Sequence, residues 1–222
     1  MAAESTVPKP VLQAGRISRD FVLTGHADDG PWQMARPALI EQSSADAAAR
    51  PELSTAVRAL WSESSLYLAY DCPYTRLTFF DPPQFEHKRF DLDQAGESLW
   101  DRDVVEAFIG SDPHQIRHYT EFEVAPTNER LDLMIVNLPQ KDFNWNSGFE
   151  SKVTVDKERK LWRCEVRIPL TALSKVKPTP GTRWALNLYR MDKANNAALA
   201  WNPTLAPSFH TPERFGILQF GE

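Results

Sequence analysis

The stretch LWDRDVVEAFIG, residues 99–110, decides how the rest of the chain is read. It passes from an aromatic residue through two aspartates into an apolar run, and Glu106 interrupts that run. Carboxylates are seldom left unpaired in a protein interior, so either Glu106 points away from the core or some group meets it. Side chains of a strand alternate between its two faces. If Val105, Ala107 and Ile109 enter the core, Val104, Glu106 and Phe108 share the opposite face.

The same period runs through most of the chain, and helical periodicity is scarce. In LYLAYDC, Leu66, Leu68, Tyr70 and Cys72 share one face; in WRCEVRI, Trp162, Cys164, Val166 and Ile168 do so while Arg163, Glu165 and Arg167 face away. TAVRALW (55–61), DVVEAFI (103–109), YTEFEV (119–124), LDLMIV (131–136), SKVTV (151–155), WALNLYR (184–190) and FGILQF (215–220) extend the count of strands. Polar or proline-rich turns separate them: SESS after Trp61, DKERK before Leu161, and Pro178, Pro180 and Gly181 before Trp184. Many short strands without strand-helix alternation predict an all-β chain folded as a two-sheet antiparallel β-sandwich of the immunoglobulin-like or jelly-roll type. SSADAAARPE has helix-forming alanines but no apolar stripe, so it reads as a loop or short turn. Residues 1–17 read as a flexible tail and residues 18–222 as a single sandwich domain. The segment 73–98 lacks alternation yet carries Phe79, Phe80, Phe85 and Phe90, which suits either a functional loop or a cover over one open end of the sandwich.

Length and composition narrow the function classes. A chain of 222 residues can hold one domain with a sizeable core, and 42% hydrophobic with 25% charged residues is the balance of a soluble globular protein. No run approaches the ~20 apolar residues of a membrane span. A net charge of -5 without a basic cluster argues against a nucleic-acid surface. The start, MAAESTVPKPVLQ, has no apolar segment behind a positive one and does not read as a secretory leader. Cys72 and Cys164 both sit in strand-like segments, where buried free thiols are expected.

Alternation gives two further outward faces: Tyr119, Glu121 and Glu123 on one strand, and Asn187, Tyr189 and Met191 on another. Were these strands neighbours of the one bearing Glu106, the shared face would mix carboxylates and an amide with aromatic rings. A sugar needs that combination, because its hydroxyls seek polar partners and its C–H faces a flat apolar surface. The competing expectation is a solvated sheet face on which Glu106 pairs with an arginine such as Arg163 or Arg190.

LWDRDVVEAFIG resembles the W-x-x-D-x-V-E-x-F-I signature of family 9 carbohydrate-binding modules and their relatives in the DOMON-like superfamily, which are β-sandwiches. Further landmarks follow in the family's order: GHADDGPW (25–32), VRALWSESSLYLAY (57–70), WRCEVRIPL (162–170), GTRWALNLYR (181–190) and AWNPTLAPSFHTPERFG (200–216). The likeness covers roughly residue 20 to the C-terminus. It implies a module that clamps a terminal sugar between two tryptophans and holds its hydroxyls from the sheet face; the expected protein is a monomer that recognises sugar without chemistry. On this sequence the first clamp residue falls on Trp100 and the signature glutamate on Glu106. The second clamp position falls on Phe209, a smaller ring than the family's tryptophan. Glu123 stands where the family's binder has arginine, and Tyr189 where it has glutamine. An acceptor-only carboxylate in place of a donor-rich arginine reverses the hydrogen bonding a hydroxyl would meet. The expected ligand is a carbohydrate or sugar-like molecule, with neither nucleic acid nor membrane as partner. Location outside the cytoplasm is what the resemblance suggests.

Other chemistries are weaker. No cofactor is read. Calcium, used by some family members, is left open, with Asp101 and Asp103 as candidate donors, although aspartates ahead of a strand read first as turn residues. His114 and His118 have i, i+4 spacing but flank a strand rather than lying on a helix. Glu106 and Glu123 are a conceivable acid and base pair for glycoside hydrolysis. Met34, Met134 and Met191 with five histidines leave a haem-binding sandwich conceivable, without supporting spacing.

Overall fold

Alternating apolar residues become strands along the whole chain. The computed structural model describes residues 8–26, 30–81, 83 and 89–222. The first half carries β1 (Val11–Arg16), β2 (Ala38–Ile40), β3 (Gln42–Ser43), β4 (Thr55–Trp61) and β5 (Ser65–Pro73). The second carries β6 (Val104–Gly110), β7 (Tyr119–Val124), β8 (Arg130–Asn137), β9 (Gln140–Asp142), β10 (Glu150–Asp156), β11 (Leu161–Pro169), β12 (Arg183–Asp192), β13 (Ala197–Ala200) and β14 (Gly216–Phe220). Among the described residues, helix is confined to α1 (Leu92–Ala95), α2 (Leu170–Leu173) and a few short 3-10 segments. None of the described helices is long and apolar enough to cross a membrane.

The hydrogen-bonded order is β10-β11-β5-β4-β1-β14-β12-β6-β7-β8-β9. One sheet holds β10, β11, β5 and β4, the other β14, β12, β6, β7, β8 and β9, and β1 joins them. Its first half runs parallel to β14 and its second half parallel to β4; the remaining pairs are antiparallel. Val57, Leu68, Trp162 and Cys164 from one sheet pack against Val105, Ala107, Phe122 and Leu188 from the other in a common core. The chain is an all-β sandwich, as alternation requires.

Three expectations are corrected or completed. The tail expected over residues 1–17 contains β1, with Leu12 and Ala14 buried. Tucked between β4 and β14, this segment is held by backbone bonds on both edges, which a short run with only two buried apolar positions did not advertise. Cys72 and Cys164 are free, buried thiols, and burial pushes Cys72 up to about 12. Of the phenylalanines in 73–98, Phe85 lies outside the described residues, as do 27–29 of the GHADDGPW stretch. Phe80 and Phe90 stack at 5.3 Å and pack on the outer face of the second sheet rather than over an open end of the sandwich.

That outer face matters most. β12, β6, β7 and β8 lie side by side, so register aligns Tyr189, Glu106, Glu123 and Leu131 in one row across the sheet. Asn187, Phe108, Glu121 and Leu133 form the adjacent row. The three strands expected to share a polar and aromatic face do so.

Candidate functional site

Trp100 reaches this face from a short turn, Leu99–Asp101, just ahead of β6. Leu99 anchors the turn in the apolar cluster below. The Asp101 side chain accepts from the Ser98 N–H at 3.1 Å. Asp103 then fixes the entry to β6, accepting from the N–H groups of Lys193 at 2.8 Å and Thr78 at 2.9 Å. Burial nevertheless raises its carboxyl to about 6. Asp101 and Asp103, the residues considered as calcium donors, thus accept from backbone N–H groups, Asp101 within its own turn and Asp103 from two distant segments.

Phe209 arrives from the opposite side, on the loop between β13 and β14. Its ring stacks on Tyr189 at 4.1 Å with the planes 7° apart, and its carbonyl accepts the Tyr189 hydroxyl proton at 2.9 Å. Asn187 Nδ2 donates to that hydroxyl at 2.7 Å and to the Asn202 carbonyl at 2.9 Å, while its Oδ1 accepts from the Asn202 N–H. Two outward side chains of β12 therefore pin the loop that carries Phe209.

Between Trp100 and Phe209 lies a cavity of about 320 Å³, at the small end of the ~300–1,000 Å³ typical of ligand sites. Glu106, Phe108 and Glu121 line it from the sheet, Trp100, Lys141 and Met191 from the sides, and Pro207, Ser208 and His210 join Phe209 from the loop. His210 lies over Phe108, with ring centroids 5.1 Å apart. Its Nε2 meets Lys141 Nζ at 2.6 Å and its Nδ1 meets the Tyr119 hydroxyl at 2.8 Å. An ammonium only donates, so Nε2 accepts and Nδ1 carries the proton. Burial and the Lys141 charge hold this imidazole down at about 4, so it is neutral beside Glu121 Oε2, 3.7 Å away. The ammonium of Lys141 also sits 5.9 Å from the centre of the Trp100 ring.

The carboxylates define the electrostatics. Glu106, Glu121 and Glu123 are 3%, 3% and 0% exposed, and one oxygen of each lies within 4.8 Å of the others. Glu106 Oε1, Glu121 Oε2 and both oxygens of Glu123 are buried without a hydrogen-bond partner. Burial, then the charge of Glu121, pushes Glu106 well above the usual carboxylate range. Glu123 is raised by burial and by both neighbours. Burial raises Glu121 to about 7, with Lys141 pulling the other way. Neither arginine expected as a partner meets them among the described residues: Arg163 pairs with Asp71 at 3.0 Å, and Arg190 with Asp192 at 2.8 Å.

Of the residues expected at a site, Trp100, Glu106 and Phe209 line the cavity. Glu123 lies in the sheet beside Glu106 and is fully enclosed, and Tyr189 lies beneath Phe209 with its hydroxyl engaged. A carboxyl so enclosed does not reach a glycosidic bond, so the hydrolytic pair Glu106/Glu123 finds no support in this geometry. Met34 is 77% exposed; Met191 and His210 share the cavity, but both nitrogens of that imidazole are engaged. His114 lies in an exposed turn, and His118 bonds the Val136 carbonyl at 3.1 Å. Sequence reasoning missed Lys141 and His210, and it placed Glu121 on the outward face without assigning it a role. Alternation alone flagged Glu121; Lys141, on a three-residue strand, and His210, in a loop, follow no period.

A β-sandwich carrying an aromatic-walled cavity over a polar sheet face is the build of a small-ligand binding module. Residues 23–221 match the family model described as "Carbohydrate family 9 binding domain-like", and the chain belongs to that family. An "Extracellular protein" of Arthroderma benhamiae is 25% identical over 189 residues, covering 77% of this chain and 80% of that protein. A candidate carbohydrate-binding protein from Bacteroides uniformis has a similar fold, with TM-score 0.73 and 16% identity over 96% of this chain and 99% of that one. A family 9 module from Caldicellulosiruptor kristjanssonii in complex with glucose has TM-score 0.68 and 15% identity over 96% and 97% of the two chains. Its complex with cellotriose also gives TM-score 0.68, at 14% identity over 96% and 94%.

Proposed function

We propose that this protein binds a carbohydrate, the end of a glycan or a small sugar, without transforming it, in the cavity between Trp100 and Phe209. The observation that carries the reading is the pairing of two aromatic side chains with the carboxylates of Glu106 and Glu121 around one cavity. Trp100 and Phe209 stack on the pyranose ring, and Glu106 and Glu121 take its hydroxyls. Glu123 acts from within the sheet by setting the charge of its neighbours, and Tyr189 and Asn187 hold Phe209 in place. The family supports the ligand class, as do related modules seen with glucose and cellotriose. Affinity for a site of this size falls at about -4 to -8 kcal/mol, millimolar to micromolar.

A glycan array followed by calorimetry tests the reading. Trp100→Ala should weaken binding of the retained glycan at least ~10-fold, about 1.4 kcal/mol. Undiminished binding in that variant would remove the clamp from the account.

A further inference from the structure

Elsewhere in this molecule, buried carboxylates meet donors. Glu165 accepts from the N–H groups of Thr24 at 2.6 Å and Gly25 at 2.7 Å, and from Trp32 Nε1 at 2.6 Å. Asp132 takes Arg89 at 2.9 Å and the Ser147 N–H at 2.6 Å. The cluster of Glu106, Glu121 and Glu123 departs from this pattern: among the described residues no donor outside the cluster reaches four of its buried oxygens, and Glu121 and Glu123 have only each other as side-chain hydrogen-bond partners. In register, Glu106 stands directly opposite Glu123, an arrangement in which like charges repel. Lys141 is the cation whose charge acts on all three, while Lys193 acts on Glu106 alone. The Lys141 ammonium already donates to His210. Three carboxyl groups thus face two ammonium groups, of which Lys141 alone acts on all three, so the cluster is short of positive charge whenever all three ionise.

We propose that Glu106, Glu121 and Glu123 bind a divalent, oxygen-seeking cation of the calcium type, and that sugar hydroxyls entering the cavity complete its coordination. Calcium sits about 2.3–2.6 Å from its oxygens, so oxygens sharing one ion lie within about 5 Å of each other. One oxygen from each glutamate meets that limit, at 4.8 Å or less. The donor set is carboxylate alone, since His210 is engaged at both nitrogens, and such a set favours a hard cation over zinc or copper. Calcium tolerates irregular coordination and exchanges water more readily than magnesium, which suits a site where Glu106 and Glu121 open onto a cavity and Glu123 backs them. A bound cation also resolves the missing arginine: it offers a hydroxyl oxygen a positive partner where the sheet presents only acceptors.

The sugar part of this inference rests on the proposed function; the cation part does not. The test uses the full chain, stripped with a chelator and titrated calorimetrically with calcium chloride, with magnesium chloride as a second arm. One tight site for calcium, much weaker for magnesium, is expected. Glu106→Gln, Glu121→Gln and Glu123→Gln should each weaken it at least ~10-fold. Lys141→Met, which removes the competing ammonium, should tighten it several-fold, a gain that damage to the fold cannot imitate. No calcium uptake at millimolar concentration would overturn the proposal, as would uptake indifferent to these four variants; three glutamates sharing protons would then account for their burial. The glycan retained by an array should bind at least ~10-fold more weakly in chelator than in calcium. Equal affinity in both would overturn the cation-dependence and leave the proposed function standing. No retained glycan in either buffer would instead strike the sugar reading, while a calcium titration lost in the glutamate variants would still establish the cation site.

Discussion

Tyr189 shows how a residue can serve a cavity that it does not line. Its ring is the platform for Phe209, and its hydroxyl ties the Phe209 carbonyl to Asn187. Tyr189→Phe keeps the platform and removes the tie, leaving a buried amide donor and a carbonyl without that partner. The expected cost is about 1–3 kcal/mol in denaturant unfolding, with a several-fold weaker sugar complex as Phe209 loses its anchor. Unchanged values for both would show that the loop is held by other contacts. The same residue marks what one position can reveal. Its outward orientation follows from the alternation of Leu186 and Leu188, but the partner of its hydroxyl comes from a loop about 20 residues further on, which no local pattern encodes.

At the scale of elements, β1 closes the hydrogen-bonded path between the two sheets, and its neighbourhood is tight. Pro10 O accepts from the Ile217 N–H at 2.9 Å. A Cβ added at Gly216 would lie 2.9 Å from that Pro10 oxygen and 2.6 Å from the Trp201 ring. Gly216→Ala should therefore lower stability by about 1–3 kcal/mol through overpacking, read as an earlier midpoint in urea. A neutral outcome would mean that the β1 junction yields more easily than its contacts suggest. The longer strands were legible because each carries several buried residues at a period of two: β5, β6, β11 and β12 fall close to the segments read from LYLAYDC, DVVEAFI, WRCEVRI and WALNLYR. β1, β2, β3, β9 and β13 were not. They are short, or, as in VLQAGR, carry few buried apolar side chains, and they exist because a neighbour's edge offers backbone partners. Half of the candidate site followed the same division. Glu106, Glu121 and the orientation of Asn187 and Tyr189 came from alternation, and Trp100 and Phe209 from resemblance. Lys141 and His210 depended on pairing and loop placement.

Across the whole molecule, the three clustered glutamates make stability depend on pH. In protein stripped of divalent cations, Glu106, Glu121 and Glu123 hold protons more firmly folded than unfolded. Their contribution is complete below pH ~4.5 and is lost as pH rises through the folded values, about 7 for Glu121. Asp103, raised to about 6, acts in the same direction. His210, held at about 4, acts oppositely: its contribution is complete above pH ~6.5 and is lost as pH falls through 4. These terms partly cancel below pH ~6.5, and above it only the glutamates remain. Unfolding free energy should therefore fall between pH ~6.5 and 8 by an amount on the order of 1–3 kcal/mol, read as a lower melting temperature, and Glu123→Gln should flatten the slope. A level profile in the stripped parent would show that the carboxylates find partners in solution.

A crystal structure of the protein with the glycan retained by an array would show where the sugar sits. A pyranose ring should lie between the side chains of Trp100 and Phe209, with adjacent hydroxyls directed at Glu106 and Glu121. A sugar seated elsewhere, for example in the cavity beside Tyr74 and Phe79, with the Trp100 cavity holding only solvent, would contradict this placement.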